Sequence, residues 1–146
     1  MQHNKPIRIL IADDDLDEIE LLKMAFDKHP DFEVVACLNS GQEIIDAVKK
    51  SNILPDVVFT DLYMPVLSGL EAAEILRMEK QNAKMEIIIF STTLNPSIKE
   101  KASHLGITGT LLKPNLLEEY EALPAKVSTM LFSRTSGNNY TVTPNL

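Results

Sequence analysis

The sequence predicts an α/β fold in which a parallel sheet carries helices on both faces. Short apolar segments with the character of buried strands alternate five times with segments whose apolar residues recur at helical spacing. This alternation is typical of parallel strands that are joined by right-handed helical crossovers. With 146 residues and 45% hydrophobic composition, the chain has room for one domain with a full core. We expect that domain over residues 6–131 and a polar, flexible tail over residues 132–146.

Five segments are predicted to form the strands. The third, Val57–Asp61, is rich in β-branched residues and must end before Pro65, because proline cannot continue a ladder of backbone hydrogen bonds. Short apolar runs without alternation suit strands that are covered on both faces. The remaining predicted strands are Ile7–Ala12, Phe32–Leu38, Ile87–Phe90 and Thr108–Leu112.

Capping residues mark the starts of the middle helices. Residues 40–43 and 68–71 each place a serine first and a glutamate fourth, which is the form of a capping box. Asn95 precedes Pro96, a pair that favours a helix start, and Gly106 is a plausible stop for the same helix.

The first and last helices carry less regular signals. Apolar residues at helical spacing predict a first helix over residues 17–28, with Asp17 and Glu18 as acids in its first turn. The last helix is predicted to be capped by Asn115. Pro124 should then kink it or divide it into two short helices, because a proline inside a helix costs about 3 kcal/mol or more.

Composition excludes several classes of function. The net charge of -7 argues against a nucleic-acid surface, which would need clustered lysine and arginine. The single cysteine, Cys37, excludes an intramolecular disulfide and fits a reducing compartment. No apolar run approaches the length of a membrane span. We therefore expect a cytoplasmic protein that contacts neither nucleic acid nor membrane.

Polar side chains follow four of the five predicted strands, at the point where each strand ends. Asp13 and Asp14 follow the first strand and Asp61 ends the third, while Ser91 and Lys113 follow the fourth and fifth. Because the carboxyl ends of parallel strands meet at one edge of the sheet, we expect these side chains to lie together.

This set of side chains suits phosphoryl transfer to a carboxylate. Clustered carboxylates repel one another and select a hard cation such as Mg2+. Lys113 adds a second positive charge, and the Ser91 hydroxyl can donate a hydrogen bond to an oxyanion. With phosphate oxygens neutralised in this way, Asp61 can attack as the nucleophile.

The chain resembles the receiver domains of bacterial two-component response regulators, in particular single-domain, chemotaxis-regulator-like members. Four segments carry the resemblance: residues 9–15 (ILIADDD), 59–65 (FTDLYMP) with Gly69, 87–91 (IIIFS) and 111–114 (LLKP). The resemblance implies a flavodoxin-like fold with strand order 2-1-3-4-5. It implies that Asp61 accepts a phosphoryl group from a histidine kinase or histidine phosphotransfer protein in a Mg2+-dependent reaction of a phosphorelay.

The resemblance also implies roles for the neighbouring residues. Asp14 would bind Mg2+ directly and Asp13 through water, and Asp61 and the Tyr63 backbone carbonyl would complete the metal shell. Ser91 and Lys113 would contact the phosphate and drive the switch. The Lys113–Pro114 peptide bond would be cis.

Two positions depart from the family pattern. Thr110 stands where an aromatic residue is common in the family. No aromatic ring can therefore change its orientation on phosphorylation, and we expect the conformational response to run through the loop after Ser91. Thr92 stands where a small residue is common, and its bulk should restrict access of phosphate.

The sequence thus predicts a phosphorylation switch that is not an enzyme and has no output domain, so output would come from docking another protein. The target protein is unknown, and the predicted docking face consists of the fourth helix, fifth strand and fifth helix. One alternative is a receiver-like scaffold that works without phosphorylation. Another is a phosphohydrolase of the haloacid dehalogenase type, in which Asp13 would be the nucleophile, although the sequence offers no cap segment.

Overall fold

The structure, a computed structural model, describes residues 5–50 and 54–135. Its strands are β1 (Ile7–Ala12), β2 (Phe32–Leu38), β3 (Val57–Asp61), β4 (Glu86–Ser91) and β5 (Gly109–Leu112). Its α-helices are α1 (Leu16–Asp27), α2 (Gly41–Lys50), α3 (Gly69–Arg77), α4 (Pro96–His104) and α5 (Leu117–Thr135), with a 3-10 turn at Lys80–Asn82. Within the described ranges, no helix is long and apolar enough to cross a membrane.

The strands form one parallel sheet in the order β2-β1-β3-β4-β5, which confirms the predicted fold and order. The register aligns Ala12 of β1 with Thr60 of β3, and Asp61 with Phe90 of β4. The ends of these strands therefore lie side by side at one edge. We call this the carboxyl edge of the sheet, and the opposite one the amino edge.

Two apolar cores, one on each face of the sheet, hold the helices in place. On one face, Phe59 and Phe90 pack with Phe26 of α1 and Val127 of α5. On the other face, β-strand residues such as Ile89 pack against α2, α3 and α4. Because both faces are covered, the strands are apolar on both sides, as their uninterrupted apolar runs predicted.

The predicted helix starts are largely confirmed. Ser68 caps α3 in a full capping box: its hydroxyl accepts from the Glu71 amide, and the Glu71 carboxylate accepts from the Ser68 amide. The Asn95 side chain caps α4, and Gly106 ends it with a φ of 66°. The start of α1 is set by Asp15, whose carboxylate accepts from the amides of its first turn.

The last helix differs from the prediction. It is one helix that contains Pro124, so the division into two short helices is wrong. Leu123 and Val127, on either side of the proline, are buried in the core, and this packing outweighs the unfavourable residue. The helix begins at Leu117 rather than beside Asn115, and the Glu119 carboxylate accepts from the Leu116 amide.

The same helix runs to Thr135, past the predicted start of the tail at residue 132. The rest of the predicted tail, residues 136–146, lies outside the described residues.

Candidate functional site

The carboxyl edge of the sheet brings together the residues that the sequence singled out. Asp13 and Ser91 are both 0% exposed, and Asp61 is 6% exposed. Lys113 follows β5 and is half-buried beside them. Four polar side chains from the ends of four strands thus share one buried region, as the parallel topology predicted.

Lys113 bridges two of the carboxylates. Its Nζ donates to Asp13 Oδ2 at 2.8 Å and lies 3.5 Å from Asp61 Oδ1. The other Asp13 oxygen accepts from the Asp15 amide at 2.9 Å. Asp13 is therefore fixed on both oxygens, whereas Asp61 has a longer contact to the ammonium.

A third carboxylate completes an acidic cluster. One oxygen each from Asp13, Asp14 and Asp61 lie within 4.8 Å of one another. Asp14 is exposed, so the cluster opens toward solvent on its side. Three carboxylates face a single lysine, and an all-oxygen donor set of this charge fits a hard divalent cation such as Mg2+.

Burial gives Asp61 an unusual pKa. Loss of hydration raises the pKa of this carboxyl to about 6, and the charge of Asp13 acts in the same direction. The Lys113 ammonium and the Tyr63 backbone N–H oppose the shift, because both interact with the ionised form. Asp61 is thus a carboxylate at neutral pH, but a more basic one than an exposed aspartate.

The same surroundings also raise the pKa of the lysine, which for a basic group favours the charged form. Burial lowers the pKa of Lys113. The hydrogen bond and charge of Asp13, together with the charge of Asp61, raise this pKa by more than burial lowers it, so it lies above its ordinary value. Lys113 is therefore held as a cation in the site.

Gly69 allows α3 to begin directly against the site. A Cβ at this position would lie 2.1 Å from the Asp61 carbonyl oxygen, which only glycine avoids. Its amide donates to the Leu62 carbonyl at 2.8 Å and so holds the loop after β3. The glycine in the family pattern thus has a steric reason here.

Ser91 and Lys113 are linked through the backbone. The Lys113 amide donates to the Ser91 carbonyl at 2.8 Å, and the Ser91 hydroxyl accepts from the Thr93 amide at 3.3 Å. The backbone of Lys113 is therefore held directly beside that of Ser91 at the end of β4. Thr92 is exposed and Thr110 is half-buried.

One expectation from the resemblance is wrong. The described residues contain no cis peptide bond, so Lys113–Pro114 is trans. The trans form is the more stable one for most bonds that precede proline. The lysine reaches Asp13 and Asp61 from this geometry, so the inward position does not require a cis bond.

Glu18 and Tyr120 form a pair beside the site that the sequence does not predict. The Tyr120 hydroxyl donates to Glu18 Oε2 at 2.5 Å, joining α5 to α1. Burial, followed by the hydrogen bond to Glu18, raises the pKa of Tyr120. In the sequence, Glu18 stands out only as an acid in the first turn of a helix, and no local pattern links it to a residue 102 positions away.

Comparison with known proteins agrees with this geometry. The family model for the response regulator receiver domain matches residues 9–123. The chain belongs to this family. It is therefore a receiver domain of the kind found in two-component systems, and the resemblance deduced from its strand-end motifs is confirmed.

Curated relatives share the receiver region at moderate identity. The chain is 33% identical over 121 residues to a protein-glutamate methylesterase/protein-glutamine glutaminase of Nitrobacter hamburgensis. It is 37% identical over 113 residues to the transcriptional regulatory protein DesR of Bacillus subtilis. These matches cover 81% and 77% of this chain but 30% and 54% of the relatives, so the chain spans about a third to a half of their length.

Solved structures show the same fold. The chemotaxis response regulator CheY4 of Vibrio cholerae aligns with a TM-score of 0.68 at 25% identity, covering 84% of this chain and 99% of that one. The phosphorylated cyanobacterial phytochrome response regulator RcpA aligns with a TM-score of 0.78 at 18% identity, covering 89% and 96%.

Proposed function

We propose that the protein is a phosphorylation switch in which Asp61 accepts a phosphoryl group from a histidine kinase or histidine phosphotransfer protein. The observation that carries the proposal is the position of Asp61, buried at the carboxyl edge between a fixed lysine and two further carboxylates. A carboxylate with a pKa of about 6 is ionised at neutral pH and still basic enough to attack phosphorus.

In the transfer step, an Asp61 carboxylate oxygen forms a bond to phosphorus as the bond from phosphorus to the donor imidazole nitrogen breaks. Asp13, Asp14, Asp61 and the Tyr63 carbonyl would hold Mg2+, which would neutralise charge on the phosphoryl oxygens. Lys113 is placed to contact one phosphoryl oxygen, because its ammonium already lies 3.5 Å from Asp61. The Ser91 hydroxyl can donate to another.

Transfer would also change the partners of Lys113. The new phosphoryl oxygens compete with Asp13 for the ammonium, and the backbone bond between Lys113 and Ser91 carries that change to the loop after β4. Because Thr110 has no ring, we infer that the response runs through this loop. The face formed by α4, β5 and α5 would then dock a partner protein, with the exposed Leu112 as one contact.

The phosphohydrolase alternative is disfavoured by the same contacts. That mechanism would require Asp13 as the nucleophile, but both of its oxygens accept close hydrogen bonds. A phosphorylation-independent scaffold is disfavoured as well, because like charges held together would serve no structural purpose.

The test is incubation with acetyl phosphate and Mg2+, followed by intact-mass measurement. We expect one added phosphoryl group, labile to hydroxylamine, and none without a divalent cation. Asp61→Asn should abolish the addition, whereas the matched control Asp56→Asn, at the amino edge, should retain it. Phosphate on Ser91 or on a histidine would contradict the proposal.

The role of Lys113 can be tested in the same assay. Lys113→Ala should still accept some phosphate, because the nucleophile and the acidic cluster remain. It should lose most of the change in backbone NMR shifts that phosphorylation produces in the parent protein. An equal response in both proteins would remove Lys113 from the switch.

A further inference from the structure

The ammonium of Lys113 lies over an aromatic ring as well as beside carboxylates. Its Nζ is 5.7 Å from the centroid of the Phe90 ring. The face of an aromatic ring carries partial negative charge, so a cation within about 6 Å of its centre is attracted to it. The attraction is stronger where water is excluded, and the Lys113 side chain is only 12% exposed. Phe90 is therefore a third partner of Lys113, in addition to Asp13 and Asp61.

The Phe90 ring is itself held in place by the core. It is 0% exposed, and the Phe59 ring of β3 packs against it with 4.8 Å between centroids. The Tyr120 ring of α5 meets it edge-on at 6.4 Å. Protein interiors are close-packed, so a ring confined in this way has little room to move. It offers the lysine a fixed surface at the end of β4.

The oxygen partners of Lys113 would change during the proposed reaction, whereas the ring would not. A phosphoryl group on Asp61 brings new oxygens that compete with Asp13 for the ammonium. At 5.7 Å the ring attracts the positive charge as a whole, so all three N–H donors of Lys113 stay available to oxygens. The ring can thus keep the ammonium in the site while its hydrogen-bond partners are exchanged.

We propose that Phe90 is a positioning residue for Lys113 in phosphoryl transfer to Asp61, an inference that rests on the proposed function. The ring acts only through the charge of Lys113, so its electrostatic effect should vanish when that charge is removed. A ring that served only to fill the core would have the same effect with and without the lysine.

The experiment replaces Phe90 by trifluorophenylalanine, in the parent protein and in Lys113→Met. Fluorine atoms on the ring withdraw electrons from its face and change its volume little, so the core stays filled. We expect the replacement to raise the equilibrium constant of urea unfolding, measured with EDTA, about two- to fivefold more in the parent than in Lys113→Met. This difference is the coupling between the ring and the charge.

Phe26 provides a matched control. It is also 0% exposed, and its ring packs against Phe59 at 5.5 Å. It lies in the last turn of α1, at the opposite end of that helix from Asp15 and the site. Trifluorophenylalanine in place of Phe26 should therefore have the same effect on unfolding in the parent and in Lys113→Met.

The second measurement is the rate of acceptance from acetyl phosphate at saturating Mg2+. Replacement of Phe90 should slow acceptance about two- to fivefold in the parent and leave the rate of Lys113→Met unchanged. The inference is overturned if unfolding shows no coupling between ring and charge, or if an active parent is not slowed. If the parent itself takes no phosphate, the proposed function fails, and the coupling in unfolding still decides whether Phe90 holds Lys113.

Discussion

At the amino edge of the sheet, two arginines donate to backbone carbonyls, whereas at the carboxyl edge a lysine and three carboxylates face one another. Arg8 donates to a backbone carbonyl, and Arg77 donates to three of them, which belong to Asn82, Leu105 and Gly106. At the carboxyl edge, Lys113 instead lies between carboxylates that also have one another as neighbours.

The arginine contacts at the amino edge serve the stability of the fold, whereas the carboxylate cluster at the carboxyl edge does not. Charges that satisfy backbone carbonyls complete hydrogen bonds that the fold leaves open at helix ends and loops. Clustered carboxylates with too few cations repel one another and weaken the folded state, so the fold alone gives no reason to keep them. The contrast therefore supports the proposal that the carboxyl edge carries the function, and four variants test the comparison.

The largest effect is expected at the amino edge. Arg77→Met removes the donor to three carbonyls in the loops after α3 and α4 and should lower the free energy of unfolding by about 2–4 kcal/mol. Urea unfolding measures this loss. Affinity for Mg2+ should remain that of the parent, and a weakened affinity would show that the two edges are not independent.

At the carboxyl edge, removing a charge should have the opposite sign. Asp61 has a pKa of about 6, above its ordinary 3.8, so the folded state binds its proton more tightly than the unfolded state. Its contribution to stability therefore falls as pH rises from about 4 to about 6. Asp61→Asn should stabilise the metal-free protein on the order of 2 kcal/mol at pH 7.5, and this gain should vanish near pH 4.

Urea unfolding with EDTA across this pH range provides the measurement, with Asp56→Asn as the control at the other edge. A constant difference between Asp61→Asn and the parent at all pH values would mean that the gain does not come from ionisation.

A substitution of Asp14 should distinguish the stabilisation by bound Mg2+ from the destabilisation by carboxylate repulsion. Mg2+ at ten times its dissociation constant should stabilise the parent by about 1.4 kcal/mol. Asp14→Asn should make the metal-free protein more stable and reduce the Mg2+ increment strongly, because it removes one like charge and one oxygen ligand. The measurement is the free energy of unfolding of the parent and of Asp14→Asn, each with EDTA and with Mg2+. If Mg2+ stabilises both proteins equally, Asp14 is not a metal ligand.

The smallest effect is expected in the loop after β3. Val66 is fully exposed and has a φ of 69°, held by a bond from the Leu67 amide to the Pro65 carbonyl at 2.7 Å. A β-branched residue is strained in this conformation, so Val66→Gly should gain about 0.5–1 kcal/mol in unfolding experiments. A loss of stability would show that the valine methyl groups matter to the loop.

The carboxyl edge was predictable from sequence because strand topology alone brings its residues together. Asp13, Asp61, Ser91 and Lys113 follow buried strands, and parallel strands end at one edge whatever their helices do. The strand segments themselves were clear because β-branched apolar runs are short and stop at polar residues.

Features that depend on helix packing were not predictable. The unbroken α5 through Pro124 results from burial of Leu123 and Val127, a tertiary effect that local propensity does not contain. The bond between Glu18 and Tyr120 depends on the orientation of α1 and α5 about their own axes. The spacing of apolar residues predicts which face of each helix is buried, but not which polar side chains meet at the border of that face.

The ion pair between Asp13 and Lys113 joins residues that are 100 positions apart. At a synthesis rate of 5–20 residues per second, roughly 5–20 s separate the two residues on the ribosome. All three aspartates of the acidic cluster precede Lys113 in the chain, so a nascent domain carries its negative charges before the lysine that neutralises part of them. The proposed site becomes complete only when β5 joins the sheet, so it forms late in the synthesis and folding of the domain.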